Sequence, residues 1–323
     1  MAIGGFLLST NTEVPSATGL IRQMARTLRH AHDQSIQTWV SPGQNAGLCE
    51  VASSPLAAQR PQIITHRSGT RAVILAGQID NDPAERCRLV KGSEGNINPL
   101  SDGEFVLQLY SSKGVNGFKD LRGSFAIALY DEATGFPRLM LVTDRWSSWP
   151  LFYTVTPKRE FFFATEVNAV CVGMKQQRLN IAGLVEFFAL QRVYGEKTLV
   201  QDILWLPPGT ALFAQSGSVS KEGYCKIRYR PQKGSFRDYA NELAQTLRKS
   251  VQSRLKPNGQ NGLLLSGGLD SRMVLAAAPE GLPCFTFGDY LNPEYRVAAR
   301  IAKAAGTAIV FLQRDPNQYV DMV

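Results

Sequence analysis

The stretch LLLSGGLDSRMVL, Leu263–Leu275, constrains the fold more than any other part of the 323-residue chain. Its leading leucines predict a buried strand, its two glycines predict a tight loop, and its apolar tail predicts a helix. A loop that joins a buried strand to a helix lies at the carboxyl end of a parallel sheet, where ligands bind. The stretch therefore predicts an α/β domain with a ligand site at this turn.

The residue types in the loop indicate a phosphate ligand accompanied by a metal ion. Gly267 and Gly268 let backbone N–H groups approach an anion, and the start of the helix adds partial positive charge. Ser266 and Ser271 can donate hydrogen bonds to phosphate oxygens. Asp270 would repel phosphate unless Mg²⁺ lies between the two, so we expect a magnesium-bound phosphate here. A glycine-rich turn without any ligand is the alternative.

The segments around the loop extend the same α/β pattern. SFRDYANELAQTLRKSVQSRL predicts an amphipathic helix in which Ser235 and Asp238 form a capping box. After the loop, PCFTFGD and AIVFLQ predict strands, and EYRVAARIAKAAG predicts a helix that ends at Gly306. Continuous apolar strands that alternate with helices predict a parallel sheet, here of three strands. Arg272 either adds a cation to the loop or faces solvent.

The chain before about residue 221 has a different pattern. RAVILAG (Arg71–Gly77) and AIGGFLLS at the N-terminus predict strands. SFAIALYD and RLMLVTD predict a hairpin across the turn formers EATGFP, and PLFYTV with EFFFATE predicts a second hairpin. Helices are predicted at Ala17–His32, Glu104–Ser112 and Ile181–Leu190, the last with Asn180 as N-cap. We expect stacked antiparallel sheets with helices outside them, an α+β arrangement.

Composition narrows the classes of function. The net charge is +8, but the basic residues are scattered and do not interleave with aromatics, so no nucleic-acid partner is expected. No apolar run resembles a leader or a membrane span, so a cytoplasmic protein without membrane contact is expected. The five cysteines are odd in number and far apart, which favours reduced thiols over disulfides or a zinc site. His30 and His32 would face apart on the predicted helix, so they are not expected to bind metal.

Several motifs together resemble one family. SGGLDS is similar to the PP-loop of ATP pyrophosphatases, which cleave ATP between the α and β phosphates. LRGSFAIALYD, VTDRWSSWPLFYT, LPPGTAL and FTFGDYLNPEYRVAARIAKAAGT resemble, in order, motifs of glutamine-dependent asparagine synthetases. The resemblance covers nearly the whole chain. It implies an N-terminal-nucleophile, class II glutamine amidotransferase-like α+β domain over residues 1–225. It also implies an incomplete α/β PP-loop domain, of the adenine nucleotide α-hydrolase type, over residues 231–323.

The resemblance implies an ATP site in the second domain. The residues that would hold the pyrophosphate of ATP are Ser266, Gly267, Gly268, Asp270 and Ser271. Asp270 would hold Mg²⁺. Leu264 and Phe287 match positions that border adenine, and both are equally compatible with a place in the core. In the family a carboxylate, here of a small molecule or a peptide, attacks the α-phosphate of ATP, and an amine takes the resulting adenylate. Mg²⁺ and the loop amides stabilise the departing pyrophosphate.

The resemblance also implies that glutaminase chemistry is missing. Ala2 occupies the position of the nucleophilic cysteine, and Ala76 occupies the position of the oxyanion asparagine. The segment from Gly47 to Ser54 lacks the arginine that grips the carboxylate of glutamine. Vestigial glutamine contacts are expected at Gly77, Gln78 and Asp102, although Asp102 is equally suited to cap the following helix. The pattern is similar to that of β-lactam synthetases and lasso-peptide cyclases, which keep the PP-loop and lack the cysteine.

Three functions stay open at this point. The sequence contains no S-G-x-G-x-D-E, which completes the metal and substrate site in the family, so we expect a synthetase domain that is truncated or completed by a second polypeptide. The first function is therefore the front part of an ATP-dependent amide ligase. The second is a nucleotide-binding pseudoenzyme or a subunit of a split ligase. The third, which the residues favour least, is a glutamine-hydrolysing asparagine synthase.

Overall fold

The computed structural model describes residues 1–9, 16–53, 63–90, 101–255 and 261–315. The chain forms two compact units, Met1–Arg228 and Tyr229–Val323. No helix among the described residues is long and apolar enough to cross a membrane. Ser54, the last residue of the segment that lacks the expected arginine, lies outside the described residues.

The first unit is built mainly of antiparallel strands. Its strands are β1 (Ala2–Leu7), β2 (Ser35–Val40), β3 (Ala46–Ala52), β4 (Ile64–Thr65), β5 (Arg71–Ile79), β6 (Gly123–Asp131), β7 (Arg138–Thr143), β8 (Phe152–Val155), β9 (Phe161–Ala164), β10 (Leu204–Trp205), β11 (Thr210–Gln215) and β12 (Ser218–Gly223). Its helices are α1 (Ala17–Thr27), α2 (Pro83–Leu89), α3 (Asp102–Lys113), α4 (Val167–Cys171) and α5 (Ile181–Leu190), with a 3-10 helix at Gly114–Asp120.

The strands form two six-stranded sheets, in the orders β10-β8-β9-β1-β3-β2 and β12-β11-β7-β6-β5-β4. The sheets pack face to face, because Ile3 and Phe163 of the first share a buried cluster with Ile74 and Tyr130 of the second. The expectation of stacked antiparallel sheets is confirmed. Both predicted hairpins are present, as the antiparallel pairs β6–β7 and β8–β9.

Helices cover the outer face of each sheet. On the first sheet, Ile21 and Met24 of α1 pack against Phe6 and Cys49. On the second sheet, α3 packs against strands β5 and β6 in a separate cluster. Central strands are therefore buried on both faces, and all seven residues of β3 are buried. This explains why these strands are nearly continuous apolar runs rather than alternating ones.

The first helix is shorter than the sequence predicts. Helix α1 ends at Thr27, whereas the apolar pattern predicts a helix as far as His32. The side chain of Gln34 accepts hydrogen bonds from the backbone N–H groups of His30 and Ala31, at 2.7 and 3.1 Å. These bonds offer the backbone an alternative to another helical turn. The expectation that His30 and His32 lie on a helix is therefore wrong.

One buried carboxylate connects the ends of three neighbouring inner strands of the second sheet, β5, β6 and β7. Asp131 is 2% exposed and forms ion pairs with Arg71 at 3.0 Å and with Arg138 at 2.9 Å. The Tyr110 hydroxyl donates to the same carboxylate at 2.7 Å. Burial alone would raise the pKa of Asp131, but the hydrogen bonds from Ala133, Tyr110 and the two arginines outweigh it and lower the pKa to about 2.

The second unit is a three-stranded parallel sheet with helices. Its elements are α6 (Phe236–Arg254), β13 (Leu263–Leu264), α7 (Leu269–Ala277), β14 (Cys284–Gly288), α8 (Pro293–Ala304) and β15 (Ile309–Gln313), and the strand order is β13-β14-β15. The capping box of Ser235 with Asp238 is present. Gly306 follows α8 with a φ of 67°, as the sequence predicts.

The core of the second unit is small. Its buried residues are Leu265, Leu275, Cys284, Ala298 and Ala302. The amphipathic pattern of α6 predicts a buried face, but no residue of that helix is buried, and Phe236 is 88% exposed. On the sheet, side chains opposite the core are exposed, with Leu312 at 48%. The described part of this unit therefore leaves much apolar surface uncovered.

Candidate functional site

The glycine-rich loop lies where the sequence places it, between β13 and α7. Strand β13 pairs in parallel with β14, and the backbone N–H of Leu265 donates to the carbonyl of Phe285 at 2.8 Å. Helix α7 begins at Leu269. The loop therefore leaves the carboxyl end of a parallel strand, which is the usual position of ligand sites in α/β sheets.

The two serines of the loop brace it from within. The hydroxyl oxygens of Ser266 and Ser271 lie 2.9 Å apart, and the backbone N–H of Ser266 donates to the Ser271 Oγ at 3.2 Å. The N–H of Gly268 donates to the Ser266 Oγ at 3.2 Å. These bonds fix the turn between the strand and the helix, so the loop has a defined shape before any ligand binds.

The start of α7 has no side-chain cap. Gly268 is the N-cap residue, with extended backbone angles and no side chain that could accept from the first helical turn. The N–H groups of a helical first turn have no partner within the helix and are a preferred site for anions. A Cβ built on Gly267 would meet side-chain atoms of Glu294 and Val297 at 3.5 Å, which is ordinary contact. Internal packing therefore does not demand glycine at this position.

Two charged side chains, those of Asp270 and Arg272, lie at the start of α7 beside the loop. Asp270 is exposed in the first turn of α7. Arg272 is exposed, and its Nε donates to the carbonyl of Gly268 and its Nη2 to that of Gly267, both at 3.2 Å. Arg272 therefore braces the loop from outside and brings a positive charge next to the uncapped helix start.

The residues present fit Mg²⁺ only when phosphate is bound as well. No group of three or more His, Cys, Asp or Glu side chains that could hold a metal occurs among the residues that the structure describes. Asp270 supplies one exposed carboxylate. Mg²⁺ commonly binds through one or two carboxylates together with phosphate oxygens and water. Asp270 is therefore suited to hold a magnesium ion that arrives with a nucleotide.

Leu264 and Phe287 lie outside the core. Leu264 is 63% exposed and Phe287 is 53% exposed. Neither belongs to the buried cluster of the second unit. The guanidinium of Arg314 lies 5.5 Å from the centre of the Phe287 ring. These side chains are therefore accessible to a planar ligand rather than enclosed by protein.

In the first unit, Ala2 begins the central strand β1 and pairs with Val51 of β3. Its methyl group supplies no nucleophile. The nearby thiol of Cys49, opposite Gly4 in the register, does not replace one, because burial raises the pKa of this thiol to about 12. A thiol that stays protonated is a poor nucleophile.

The backbone next to Ala76, the expected oxyanion position, has an unusual conformation. Gly77 has a φ of 97°, and a Cβ there would lie 2.0 Å from the carbonyl oxygen of Ser124 and 2.6 Å from the indole nitrogen of Trp149. Ala76 is fully buried between the sheets. The side-chain amide of Gln78 donates to Asp80 at 2.9 Å. The side chain of Gln78 therefore serves a local contact.

The aspartate expected to bind the ammonium group of glutamine already has partners. Arg86 donates to the Asp102 Oδ1 at 2.6 Å, and the backbone N–H of Ile79 donates to the Oδ2 at 2.9 Å. The alternative role as N-cap is wrong, because Ser101 is the N-cap of α3 and forms a capping box with Glu104. An incoming ammonium would have to compete with the Arg86 guanidinium for Asp102.

One buried acid at this end of the sheet was not expected from the sequence. Glu50 lies opposite Ile3 in the register, is 1% exposed, and its Oε2 has no hydrogen-bond partner among the described residues. Burial raises the pKa of Glu50 to about 8, partly offset by the positive charge of the terminal amino group. The group is therefore a neutral carboxylic acid at and below neutral pH.

Comparison with known proteins decides the family. The family model described as a glutamine amidotransferase domain matches residues 2–225. The chain belongs to the glutamine amidotransferase domain family. The family model described as asparagine synthase matches residues 242–323, so the second unit of this amidotransferase-family chain carries an asparagine synthase match.

Curated relatives resemble the chain at low identity. The chain is 25% identical to asparagine synthetase 1 of Bacillus subtilis, over 80% of its own length and 42% of that protein. It is 28% identical to asparagine synthetase B of Escherichia coli, over 67% of its length and 33% of that protein. It is 26% identical to carboxyethyl-arginine β-lactam synthase of Streptomyces clavuligerus, over 71% of its length and 42% of that protein. The chain thus spans about two fifths or less of these relatives.

A solved structure, a class II glutamine aminotransferase domain protein from Silicibacter pomeroyi, matches with a TM-score of 0.36 and 11% identity. The match covers 71% of this chain and 100% of that chain.

The predicted residues of the glycine-rich loop lie together in the structure, and three residues of the first unit described above were not predicted. The loop from Ser266 to Ser271 is contiguous, so the sequence motif alone was enough to find it. Arg86, Trp149 and Glu50 were not singled out from the sequence. Arg86 is close in sequence to Ala76 and Gln78, whereas Trp149 and Glu50 are distant from them.

Proposed function

We propose that this chain is part of an ATP-dependent ligase that joins a carboxylate to an amine, and that it does not hydrolyse glutamine. The proposal is supported by the asparagine synthase match of the second unit and by the similarity to asparagine synthetases and a β-lactam synthase. Because the chain spans 42% or less of these relatives, their activities are carried over only as a proposal.

The uncapped start of α7 is the observation that carries the proposal. Gly268 provides no side-chain acceptor, and the two serines brace the loop so that backbone N–H groups at the helix start are available to an anion. In this proposal the pyrophosphate part of ATP bonds to the loop from Ser266 to Ser271. Asp270 holds Mg²⁺, and the exposed Leu264 and Phe287 lie against adenine.

The residues of the loop would contribute orientation and charge rather than proton transfer. ATP supplies an activated phosphate that a carboxylate can attack, and an amine then completes the amide. Arg272 donates to the loop carbonyls of Gly267 and Gly268, so these oxygens are paired with a cation when an anion approaches. Its charge, together with the helix start, favours the negative charge that develops on the departing pyrophosphate.

The first unit is proposed to be a structural platform. Ala2 lacks a nucleophile, Ala76 lacks an oxyanion donor, and Asp102 is engaged by Arg86. Removing one oxyanion donor alone typically lowers turnover by about 10²–10³-fold. All five cysteines are free, which favours a reducing compartment such as the cytoplasm as the place of action.

The experiment has two arms on the same preparation. In the first arm, the protein together with any polypeptide that completes its synthetase domain is incubated with Mg²⁺, ATP and mixtures of carboxylates and amines, and AMP with pyrophosphate is measured; Asp270→Asn is the control that should abolish it. In the second arm, ammonia release from glutamine is measured for the wild type and for Ala2→Cys freed of Met1. We expect ammonia release in neither protein, because the thiol alone restores neither the oxyanion donor nor a free Asp102. Glutamine turnover by the wild type would contradict the proposal.

A nucleotide-binding subunit without chemistry of its own is the second candidate. It is favoured by the exposure of Leu264 and Phe287, which are 63% and 53% exposed. ATP binding without any AMP formation across the substrate mixtures would support this candidate over the ligase.

A further inference from the structure

A cavity of about 530 Å³ lies in the first unit, apart from every residue discussed so far as part of a site. Phe152 and Trp205 form one wall, where β8 and the edge strand β10 pair with each other. Pro207 and the segment from Arg192 to Thr198 form the rest. Cavities of roughly 300–1,000 Å³ are the size that small organic ligands occupy.

The cavity is open to solvent on one side, and the segment that forms the rest of its wall is held by hydrogen bonds and an ion pair. Glu186 of α5 accepts from the backbone N–H of Tyr194 at 3.0 Å and forms an ion pair with Lys197. The backbone N–H of Trp205 donates to the carbonyl of Glu196 at 2.7 Å. The wall is therefore connected both to the neighbouring helix and to the sheet edge.

The charges that line the cavity do not cancel completely. Lys197 is paired with Glu186, and Glu196 is paired with Lys221. Arg192 has no carboxylate within ion-pair distance among the described residues, and its guanidinium lies 4.6 Å from the centre of the Tyr194 ring. A ring face orients the guanidinium without neutralising it. Among the described residues, the cavity is thus lined by Arg192 without a carboxylate partner and by the aromatic side chains of Phe152 and Trp205.

We propose that this cavity binds a small organic carboxylate that carries an aromatic or branched apolar group. The carboxylate bonds to Arg192, and the apolar group lies against Phe152 and Trp205. A guanidinium can bond both oxygens of a carboxylate, which gives such a ligand direction as well as affinity. A metal ion does not fit, because Glu196, the one carboxylate among the residues that line the cavity, already has Lys221 as its partner.

The test is a calorimetric titration of the whole chain with 3-phenylpropionate and with its neutral amide, 3-phenylpropionamide. We expect saturable binding of the acid to the wild type, and binding weaker by about tenfold in Arg192→Gln, since a charged hydrogen-bonded pair is lost. Arg178→Gln is the matched control. Arg178 is exposed and does not line the cavity, and its substitution by Gln removes the same charge as Arg192→Gln. The amide should bind about tenfold more weakly than the acid to the wild type and be insensitive to Arg192→Gln.

The position of the ligand is read from the indole N–H signal of Trp205 in a nitrogen-labelled sample, assigned with Trp205→Phe. The signal should move on addition of the acid, while those of Trp39, Trp146 and Trp149 stay in place. The proposal is overturned by the absence of saturable binding, by equal losses in Arg192→Gln and Arg178→Gln, or by shifts confined to the other indoles. Because neither ATP nor the glycine-rich loop takes part, the result is independent of the proposed ligase function.

Discussion

The two units of the chain differ in their packing and in their candidate sites. The first unit has three clusters of buried side chains and covers both faces of its central strands, yet we propose that Ala2 and Ala76 leave it without glutaminase chemistry. The second unit has one small buried cluster and exposed apolar side chains, yet it keeps a braced, uncapped glycine loop. The better-packed unit is therefore not the one with the candidate site, since a site depends on a few residues and not on the fold that supports them.

The largest effect should come from removing a core ring in the first unit. Phe163→Ala removes a fully buried side chain from between the sheets, and such changes cost about 3–5 kcal/mol of unfolding free energy. Leu275→Ala in the second unit should cost about 2 kcal/mol, because Leu275 is 8% exposed and has few buried neighbours. Urea unfolding, followed by hydrogen exchange on peptides from each unit, measures the cost of each substitution in its own unit. Equal losses of unfolding free energy in the two variants would contradict the difference in packing between the units.

Glu50 should make the first unit less stable as the pH rises. The pKa of Glu50 is raised by burial from 4.5 to about 8, so the folded state holds a proton that the unfolded state releases in this window. Stability from this group is present below pH 4.5 and is lost towards pH 8, by about 3 kcal/mol between pH 5 and pH 8. Glu50→Gln should remove this slope and be the more stable protein at pH 8. Parallel pH profiles for the two proteins would show that Glu50 is not buried as an acid.

Asp131 should give the opposite pH dependence in the same unit. Its pKa is lowered from 3.8 to about 2, because its hydrogen bonds outweigh burial, so its contribution is present above pH 3.8. That contribution, about 2 kcal/mol, is lost as the pH falls through 2. Unfolding of the wild type and of Asp131→Asn between pH 5 and pH 2 measures it, with the exposed Asp33→Asn as control. A wild-type profile as flat as that of Asp131→Asn would contradict the role of the Arg71 and Arg138 pairs.

The smallest expected loss of stability comes from removing a helix cap, and it should be of equal size in the two units. Ser101→Ala and Ser235→Ala each remove one capping box, at the start of α3 and of α6. Loss of such a cap costs about 1 kcal/mol. Local hydrogen exchange at the two helix starts measures each cost in its own unit. A much larger cost for Ser235→Ala would show that α6 depends on its cap because packing contributes so little.

Local sequence signals were enough to predict much of this structure. The loop from Ser266 to Ser271, the hairpins of the first unit and the cap at Asn180 are formed by residues close together in the chain. Their turn and capping chemistry acts over a few positions, so a single sequence reveals it. The apolar strand patterns in the sequence were also enough to predict the stacked sheets.

Contacts between distant segments could not be predicted in this way. The bond between Arg86 and Asp102 joins residues 16 positions apart, and Trp149 approaches Gly77 from a distant part of the chain. The burial of Glu50 depends on the layers that cover both faces of β3. In α1, a side chain from a later residue, Gln34, bonds the backbone that would have continued the helix. Each of these outcomes depends on context that local propensity does not encode.

The central claim, that the second unit binds magnesium-bound ATP at the start of α7, is tested most directly by calorimetric titration of ATP into the chain. The account predicts one site per chain, with affinity about tenfold lower in Asp270→Asn when Mg²⁺ is present and little difference between the two proteins when Mg²⁺ is removed. A folded chain that takes up no ATP, or that binds it equally well after Asp270→Asn in the presence of Mg²⁺, would contradict the claim.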